Sequence, residues 1–562
     1  MAGHFFSPPT NIAAKIVSVN PGGGLATSPD QCLPLVPPER LSQTDAMTSS
    51  RLLPTLLAVL GATFSPHLST AADAPIDLGS RRELFVDEFL IAQKTNLELR
   101  LHSPVPKEVV LTRDAPWEGS GSDFETIIRD GDVFRMWYMG MELTNKDGTK
   151  LMFNPAKPDE RRDSVVCYAE SRDGIHWTKP ELGLFEFNGS KKNNIVWAVP
   201  KLDNFTPFKD ANPDARPDEK YKAVSEGPGG LYGLKSADGI HWTRISEKPI
   251  ITRGKFDTQN NAFWDPIRKH YWCYIRSFHG PDGKITNDTK TGVRDVQVAT
   301  SKDFLNWTET EILSYPNSRD EALYTNAIQP YYRAPHLFVG FPGRYIDRPF
   351  SAAAMRDLPD SAHRQARMKF SPRYGTVITD ALFMTSRDGR SFNRWGEAFL
   401  RPGPQRKDNW VYGDGFISLG MFESPAEDPT AEPELTLYAH DDHWKLPTRV
   451  RRYTIRIDGF VSLNAKLSGG EMISKPITFS GRKLTFNFAT SAAGSIRVEL
   501  QGANGKALPG YSLAECDELF GDTLNRTVSW GDRSDLSALA GKPVRLKLVL
   551  SDADLYSLKF EP

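Results

Sequence analysis

Cysteine is scarce in this chain: Cys32, Cys167, Cys273 and Cys516 are the only four in 562 residues. They are too few and too scattered for a disulfide framework or a zinc centre. Cys167 and Cys273 lie in alternating apolar runs and read as core residues. An excess of charge is also missing, with 69 basic against 70 acidic residues. Together with the lack of any basic run interleaved with aromatics, this excludes a nucleic-acid partner. No apolar run is long enough for a membrane span, which needs about 20 residues. The sequence has no Gly-rich phosphate loop, no nucleophile elbow and no His-x-x-x-His spacing, so neither a metal nor a cofactor is expected.

The N-terminus reads as a leader. After Met47-Thr-Ser-Ser-Arg51 comes an apolar stretch from Leu52 to Phe64, interrupted by Pro54, and then small residues at Ser69/Ala71 or Ala72/Ala74. A cationic start, an apolar centre and small residues at a cleavage point form an export signal. Residues 1–74 are therefore assigned to a leader, with the signal at 47–74 and translation starting at Met47. The expected location is secreted or periplasmic.

What the chain does have is a repeat. Ser171-Arg-Asp-Gly-Ile-His-Trp177, Ser236-Ala-Asp-Gly-Ile-His-Trp242, Ser301-Lys-Asp-Phe-Leu-Asn-Trp307 and Ser386-Arg-Asp-Gly-Arg-Ser-Phe392 share one signature, and Tyr453–Phe460 is a degenerate fifth copy. Asp and Gly after an apolar strand suit a tight turn, because Asp bonds its own backbone and Gly tolerates positive φ. A strand precedes each copy and an earlier strand pair precedes that. Five units of short antiparallel strands without long helical periodicity predict an all-β fold, a five-bladed β-propeller over 78–465. The segment from Asp77 to about Trp117 is expected to help close the ring, which would protect the open edges of the first and last blades. From about Ala465 the strands and turns change character and predict a C-terminal β-sandwich over 466–562.

A propeller gathers side chains from every blade into one axial pocket, so the residues that open each innermost strand are the candidates. They include Asp123, Asp210, Asp257 and Glu321, one carboxylate for each of four blades, and Asp414 for the fifth. Glycoside cleavage needs two carboxyl groups in different environments, one protonated and one ionised, and crowding several acids drives their pKa values apart. Gln259, Asn260, Tyr324, Asn326 and Arg344 could hydrogen-bond sugar hydroxyls. Rings from 12 Trp, 17 Tyr and 31 Phe supply flat surfaces for sugar faces as well as core. The hairpin-turn acids Asp130, Asp173, Asp238, Asp265, Asp303 and Asp388 read as structural, as do the repeat histidines His176 and His241.

Several runs carry a family resemblance: Arg82-Glu-Leu-Phe-Val-Asp-Glu-Phe-Leu90, the Ser-x-Asp-Gly-Ile-His-Trp repeats, Phe263-Trp-Asp-Pro266, Tyr324-Thr-Asn-Ala327 with Gly340-Phe-Pro342, and Ala492-Ala-Gly-Ser-Ile-Arg-Val498. Over residues 78–562 the chain resembles secreted bacterial proteins grouped as glycoside hydrolase family 32-like. The resemblance implies a five-bladed propeller plus sandwich. For the wider group of families 32, 43 and 68 it implies three acidic residues from successive early blades. These correspond to Asp123 as base or nucleophile, Asp210 as helper and Asp257 as general acid, with Glu321 as an alternative acid. The Asp-Pro-Asn-Gly motif of fructan hydrolases is missing, and no Glu-Cys acid motif occurs within the propeller region 78–465. The expected function is hydrolysis of a glycan substrate. A non-catalytic glycan-binding propeller is one alternative, and a phosphorylase using Arg276 and Arg344 to hold phosphate is another.

Overall fold

The computed structural model describes residues 74–157, 160–407 and 409–562. The expected leader lies outside the described residues, apart from Ala74. Five antiparallel sheets follow one another along the chain, and they form the five blades. Blade 1 runs outward from Asp123–Asp130 through Val133–Gly140 and Val165–Ser171 to Ile195–Trp197. Blade 2 comprises Asp203–Lys209, Tyr221–Gly227, Gly230–Ser236 and Thr243–Arg244. Blade 3 comprises Asn261–Asp265, His270–His279, Val293–Ser301 and Glu311–Ile312. Blade 4 comprises Gln329–Tyr331, Ala334–Gly340, Met384–Ser386 and Asn393–Arg394. A hairpin (Gly343–Ile346 with Ile378–Ala381) and two short helices, Ala352–Asp357 and Ser361–Phe370, are inserted in it.

Blade 5 holds Phe422–Ser424, Glu434–Asp441 and Thr448–Arg456. Its outermost strand, Val105–Arg113, comes from the chain before blade 1. The ring is thus closed by hydrogen bonds between its two ends, which leaves no terminal edge open at this junction.

The repeat signature has a physical explanation in the turns. In the first copy, Asp173 Oδ1 accepts from the backbone N–H of Ile175 and His176, both at 2.8 Å, and Asp173 Oδ2 meets His176 Nδ1 at 2.7 Å. Ser171 Oγ accepts from Gly174 N at 2.9 Å, and Trp177 Nε1 donates to Gly174 O at 3.0 Å. The second copy repeats every one of these bonds around Asp238. The histidines are therefore turn caps.

The turn also joins blade to blade. Trp137 Nε1 of blade 1 donates to Gly239 O of blade 2 at 2.9 Å, and Tyr274 OH of blade 3 donates to Gly389 O of blade 4 at 2.9 Å. Tyr438 OH of blade 5 donates to Gly174 O of blade 1 at 2.7 Å and continues the pattern across the closure. Gly239 has φ +79°, and a Cβ there would lie 2.9 Å from the Trp137 ring. In these three copies the glycine of the motif is the docking point.

The C-terminal strands form a separate eight-stranded sheet. Two long strands, Lys483–Gln501 and Arg545–Glu561, pair along their length with a register break at Thr490/Ser495. Both halves contribute to one apolar core, with Phe486 and Phe488 from one half and Ile496 and Val498 from the other. Three strands from the start of the described chain join this sheet: Arg82–Leu84, Ile91–Thr95 and Leu97–Leu101. The segment before blade 1 therefore divides. Residues up to Leu101 belong with the C-terminal sheet, and only Val105–Arg113 enters the propeller.

Candidate active site

The inner strands of blades 1 and 2 begin alike, as Asp123-Phe-Glu-Thr126 and Asp203-Asn-Phe-Thr206. In each the second residue adopts a left-handed backbone (Phe124 φ 56°, Asn204 φ 50°), and the pairing register slips between the Asp and the Thr. A bulge of this kind re-aims the side chain that precedes it. Holding a phenylalanine in the left-handed region costs about 1–3 kcal/mol, strain typical of functional sites. Here both bulges open the strand at the same cavity.

That cavity, of about 690 Å³, is lined by Asp123 of blade 1, Asp203 and Glu226 of blade 2, and Asp257 on the approach to blade 3. Glu226 is the cross-strand partner of Asp203. Tyr324, Tyr412, Phe370 and Trp444 form aromatic walls, and His443 also reaches the cavity. Tyr324 OH donates to Asp257 O at 2.9 Å and fixes the loop that carries this acid.

Asp163 also lines the cavity and is exposed; the other four carboxyl groups have different surroundings. Asp123 is only 4% exposed, and its Oδ1 has no partner in the fold; Oδ2 lies 3.9 Å from His443 Nδ1. Burial and the nearby Glu125 raise its pKa well above the ordinary value, with Arg113 and Arg161 opposing. Glu226 accepts from Asn204 Nδ2 at 2.7 Å, and its pKa is pushed well up by burial and by the Asp257 and Asp203 carboxylates. Asp203 is raised by burial, but Arg161, 3.8 Å away, the Asn204 N–H at 2.9 Å and Ser164 Oγ at 3.2 Å favour its charged form. Asp257 is raised by burial too, yet it is ion-paired with the buried Arg276. The Arg276 guanidinium favours the charged form of Asp257, whereas the Asp257 and Asp203 carboxylates favour the protonated form of Glu226. His443 is depressed well below the ordinary histidine value by burial, His440 and Arg367, so it stays neutral.

Behind Asp123 lies a second acid with a different role. Glu125, 1% exposed, is ion-paired with the fully buried Arg113 of the ring-closing strand and accepts from Ser418 Oγ of blade 5 at 2.9 Å. Burial raises its pKa, but Arg113 and His440 outweigh that and hold it down to about 2.

Of the residues expected from sequence, Asp123, Asp257 and Tyr324 line the cavity. Asp210 does not. It lies just past the far end of the strand Asp203–Lys209, some 20 Å away at about 3.3 Å per residue, where it is ion-paired with Lys222 and accepts from Tyr271 OH at 2.7 Å. Its place is taken by Asp203. Glu321 is also outside the cavity lining and is tied to Arg319 at 2.7 Å and Arg344 at 3.1 Å. Arg344 is held by Asp380 at 2.6 Å and by Glu321. Gln259 is a brace across the axis, its Nε2 donating to Glu125 O at 3.0 Å and to Thr126 Oγ1 at 3.2 Å. Asn260 staples its own loop through Phe256 O and Thr258 O, and Asn326 accepts from Ile328 N. None of these three amides is in the cavity lining.

Sequence reasoning missed Asp203, Glu226, His443 and Trp444. The shared Asp-x-x-Thr opening at 123 and 203 was the available signal for the first. Glu226 lies one residue before the end of the second strand of blade 2, and nothing local distinguishes it. Among the described residues no group of three or more His, Cys, Asp or Glu side chains has the geometry to hold a metal ion, and no helix is long and apolar enough to cross a membrane.

No family model and no curated protein matches the chain. Solved structures similar to it include an N-acetylgalactosamine deacetylase from F. plautii, 13% identical, covering 64% of this chain and 96% of that one, with a TM-score of 0.37. An endo-arabinase from Bacteroides thetaiotaomicron is 11% identical, with 64% and 98% covered and a TM-score of 0.34. A fructofuranosidase from Schwanniomyces occidentalis is 11% identical, with 84% and 98% covered and a TM-score of 0.31.

Proposed function

We propose that the protein is a glycoside hydrolase in which Glu226 donates a proton to the leaving oxygen and Asp123 acts as base or nucleophile. The observation that carries this reading is the convergence of four carboxyl groups from three successive blades on one aromatic-walled cavity. Both groups titrate above ordinary carboxylates: burial, Glu125 and Asp203 raise Asp123 against Arg113 and Arg161, and burial, Asp257 and Asp203 raise Glu226 against Arg276. The division of roles rests on place: Glu226 lies among the carboxylates of Asp203 and Asp257, as a proton donor requires, and Asp123 faces it from the neighbouring blade. Asp203 and Asp257 keep Glu226 protonated by like-charge repulsion.

The phosphorylase alternative named Arg276 and Arg344, but Arg276 is ion-paired with Asp257 and Arg344 with Asp380 and Glu321, and neither is in the cavity lining, where Arg161 and Arg162 are found instead. Export from the cytoplasm rests on the leader pattern at 47–74, and N-terminal sequencing of the mature protein tests it.

The activity test is hydrolysis of an oligosaccharide panel by wild type, Glu226→Gln and Asp123→Asn. Each substitution should lower kcat by about 10²–10⁴, the usual worth of a positioned acid or base. The pH optimum should lie above that of solvated carboxylates, since both pKa values are raised. Binding without turnover by wild type selects the non-catalytic reading. Wild-type rates in Glu226→Gln refute the assignment.

A further inference from the structure

Blade 2 and the approach to blade 3 repeat a second pattern, Lys201-Leu-Asp203 and Lys255-Phe-Asp257, and all four charged residues line the same cavity. The aspartates are accounted for by the chemistry above, but the lysines are not. On blade 2 the other strand lysines meet carboxylates: Lys209 with Asp130 at 2.7 Å, Lys222 with Asp210, and Lys235 with Asp218 at 2.8 Å. Neither Lys201, which is exposed, nor Lys255, which is half-buried, has a carboxylate within ion-pair distance among the described residues. A third cation joins them. Arg162 also lines the cavity, with Nη2 donating to Trp117 O at 3.3 Å, while its Nη1 is buried with no partner in the fold.

Hydroxyl groups of a neutral sugar do not require such cations, and an orphaned guanidinium donor is costly unless a ligand satisfies it. A carboxylate or sulfate oxygen suits each of these groups, through charge-assisted bonds to an ammonium or a guanidinium. Carboxylates line the cavity too, but Asp257 and Asp203 are matched by Arg276 and Arg161, and neither lysine is paired with the exposed Asp163.

We infer that the glycan taken by this cavity bears a negative charge, a uronate carboxylate or a sulfate ester, held by Lys201, Lys255 and Arg162. The inference rests on the glycoside hydrolase reading for the identity of the ligand as a sugar, but its test is independent of turnover. Binding is measured by calorimetry on the full protein, wild type and Glu226→Gln, with two matched pairs of probes. One pair is oligogalacturonides and their methyl esters, the other sulfated galactan oligosaccharides and their desulfated forms. The charged member of one pair should bind about tenfold more tightly at low salt, the worth of two partly exposed charge contacts. The advantage should shrink as salt rises, vanish in Lys201→Gln/Lys255→Gln, and persist in the Lys209→Gln control. The pair that shows it identifies the anion.

Equal affinity within both pairs, no binding of either charged series, or an advantage that survives the double substitution overturns the inference. Charge preference without hydrolysis removes the hydrolase reading and leaves this one standing. Hydrolysis of neutral glycans without charge preference does the reverse.

Discussion

Replacing Arg113 by methionine should be the most damaging single change to the propeller, because it strands a buried carboxylate at the ring closure. Arg113 is the last residue of the strand that closes blade 5, and both it and Glu125 of blade 1 are essentially inaccessible to water. Its Nε donates to Thr448 Oγ1 at 2.8 Å, and its other end is ion-paired with Glu125. Removing one partner of such a pair costs about 3–5 kcal/mol. The pKa of Glu125 gives a second route to the same quantity. A fall from the ordinary 4.5 to about 2 corresponds to about 3 kcal/mol of stabilisation. A depressed carboxylate pKa means that this stability is fully present above pH about 4.5 and is lost as the pH falls towards 2. Denaturant unfolding, followed by tryptophan fluorescence between pH 3 and 7, measures both effects. The expectation is a loss of about 3–5 kcal/mol at pH 7 in Arg113→Met and substantial recovery in Arg113→Met/Glu125→Gln, which leaves no buried charge unpaired. A loss below about 1 kcal/mol, the range of an exposed pair, or a double variant no better than the single one, would refute the reasoning.

The blade-docking turns make a matched pair of glycine substitutions informative. Gly239→Ala and Gly183→Ala both place a side chain at positive φ, but only at 239 would the new Cβ meet a ring, at 2.9 Å from Trp137; nothing lies within 4 Å at 183. Urea unfolding should therefore show a loss of about 1 kcal/mol at 183 and clearly more at 239. His279 is held between Asp295 at 2.8 Å and Asp320 at 3.1 Å, and these bonds raise its pKa to about 9. Because the folded value lies above the unfolded one, its contribution is present below pH about 6.5 and is lost as the pH rises through 9. His279→Gln should flatten that alkaline decline in a stability–pH profile, and an NMR titration of the ring protons should report the raised value directly. In the cavity, Asp203→Asn should lower the pKa of Glu226 by removing a like charge. The alkaline limb of the activity profile should then move down, whereas Asp210→Asn, at the far end of the same strand, should leave it unchanged.

The sequence by itself determined the architecture. The Ser-x-Asp-Gly turn is a local device whose bonds span no more than three residues, from Ser171 to Gly174 and from Asp173 to His176. Its recurrence therefore counts sheets without any knowledge of how they pack. Asp123 and Asp257 were legible for a related reason, since Asp123 opens an innermost strand and Asp257 lies four residues before one. Tertiary structure decided the rest, because it depends on which end of a strand meets the axis and on what lies across from it. Asp210 and Asp203 flank one strand, and only its orientation in the ring selects Asp203. Glu226 becomes a neighbour of Asp203 through strand pairing across 23 positions, and of Asp257 through the approach of the next blade. The charged forms of Asp203 and Asp257 are favoured by Arg161 and Arg276, which reach them through space. Local bonding rules write the blades into the chain, whereas the protonation of the cavity is a property of charges brought together from distant positions by folding.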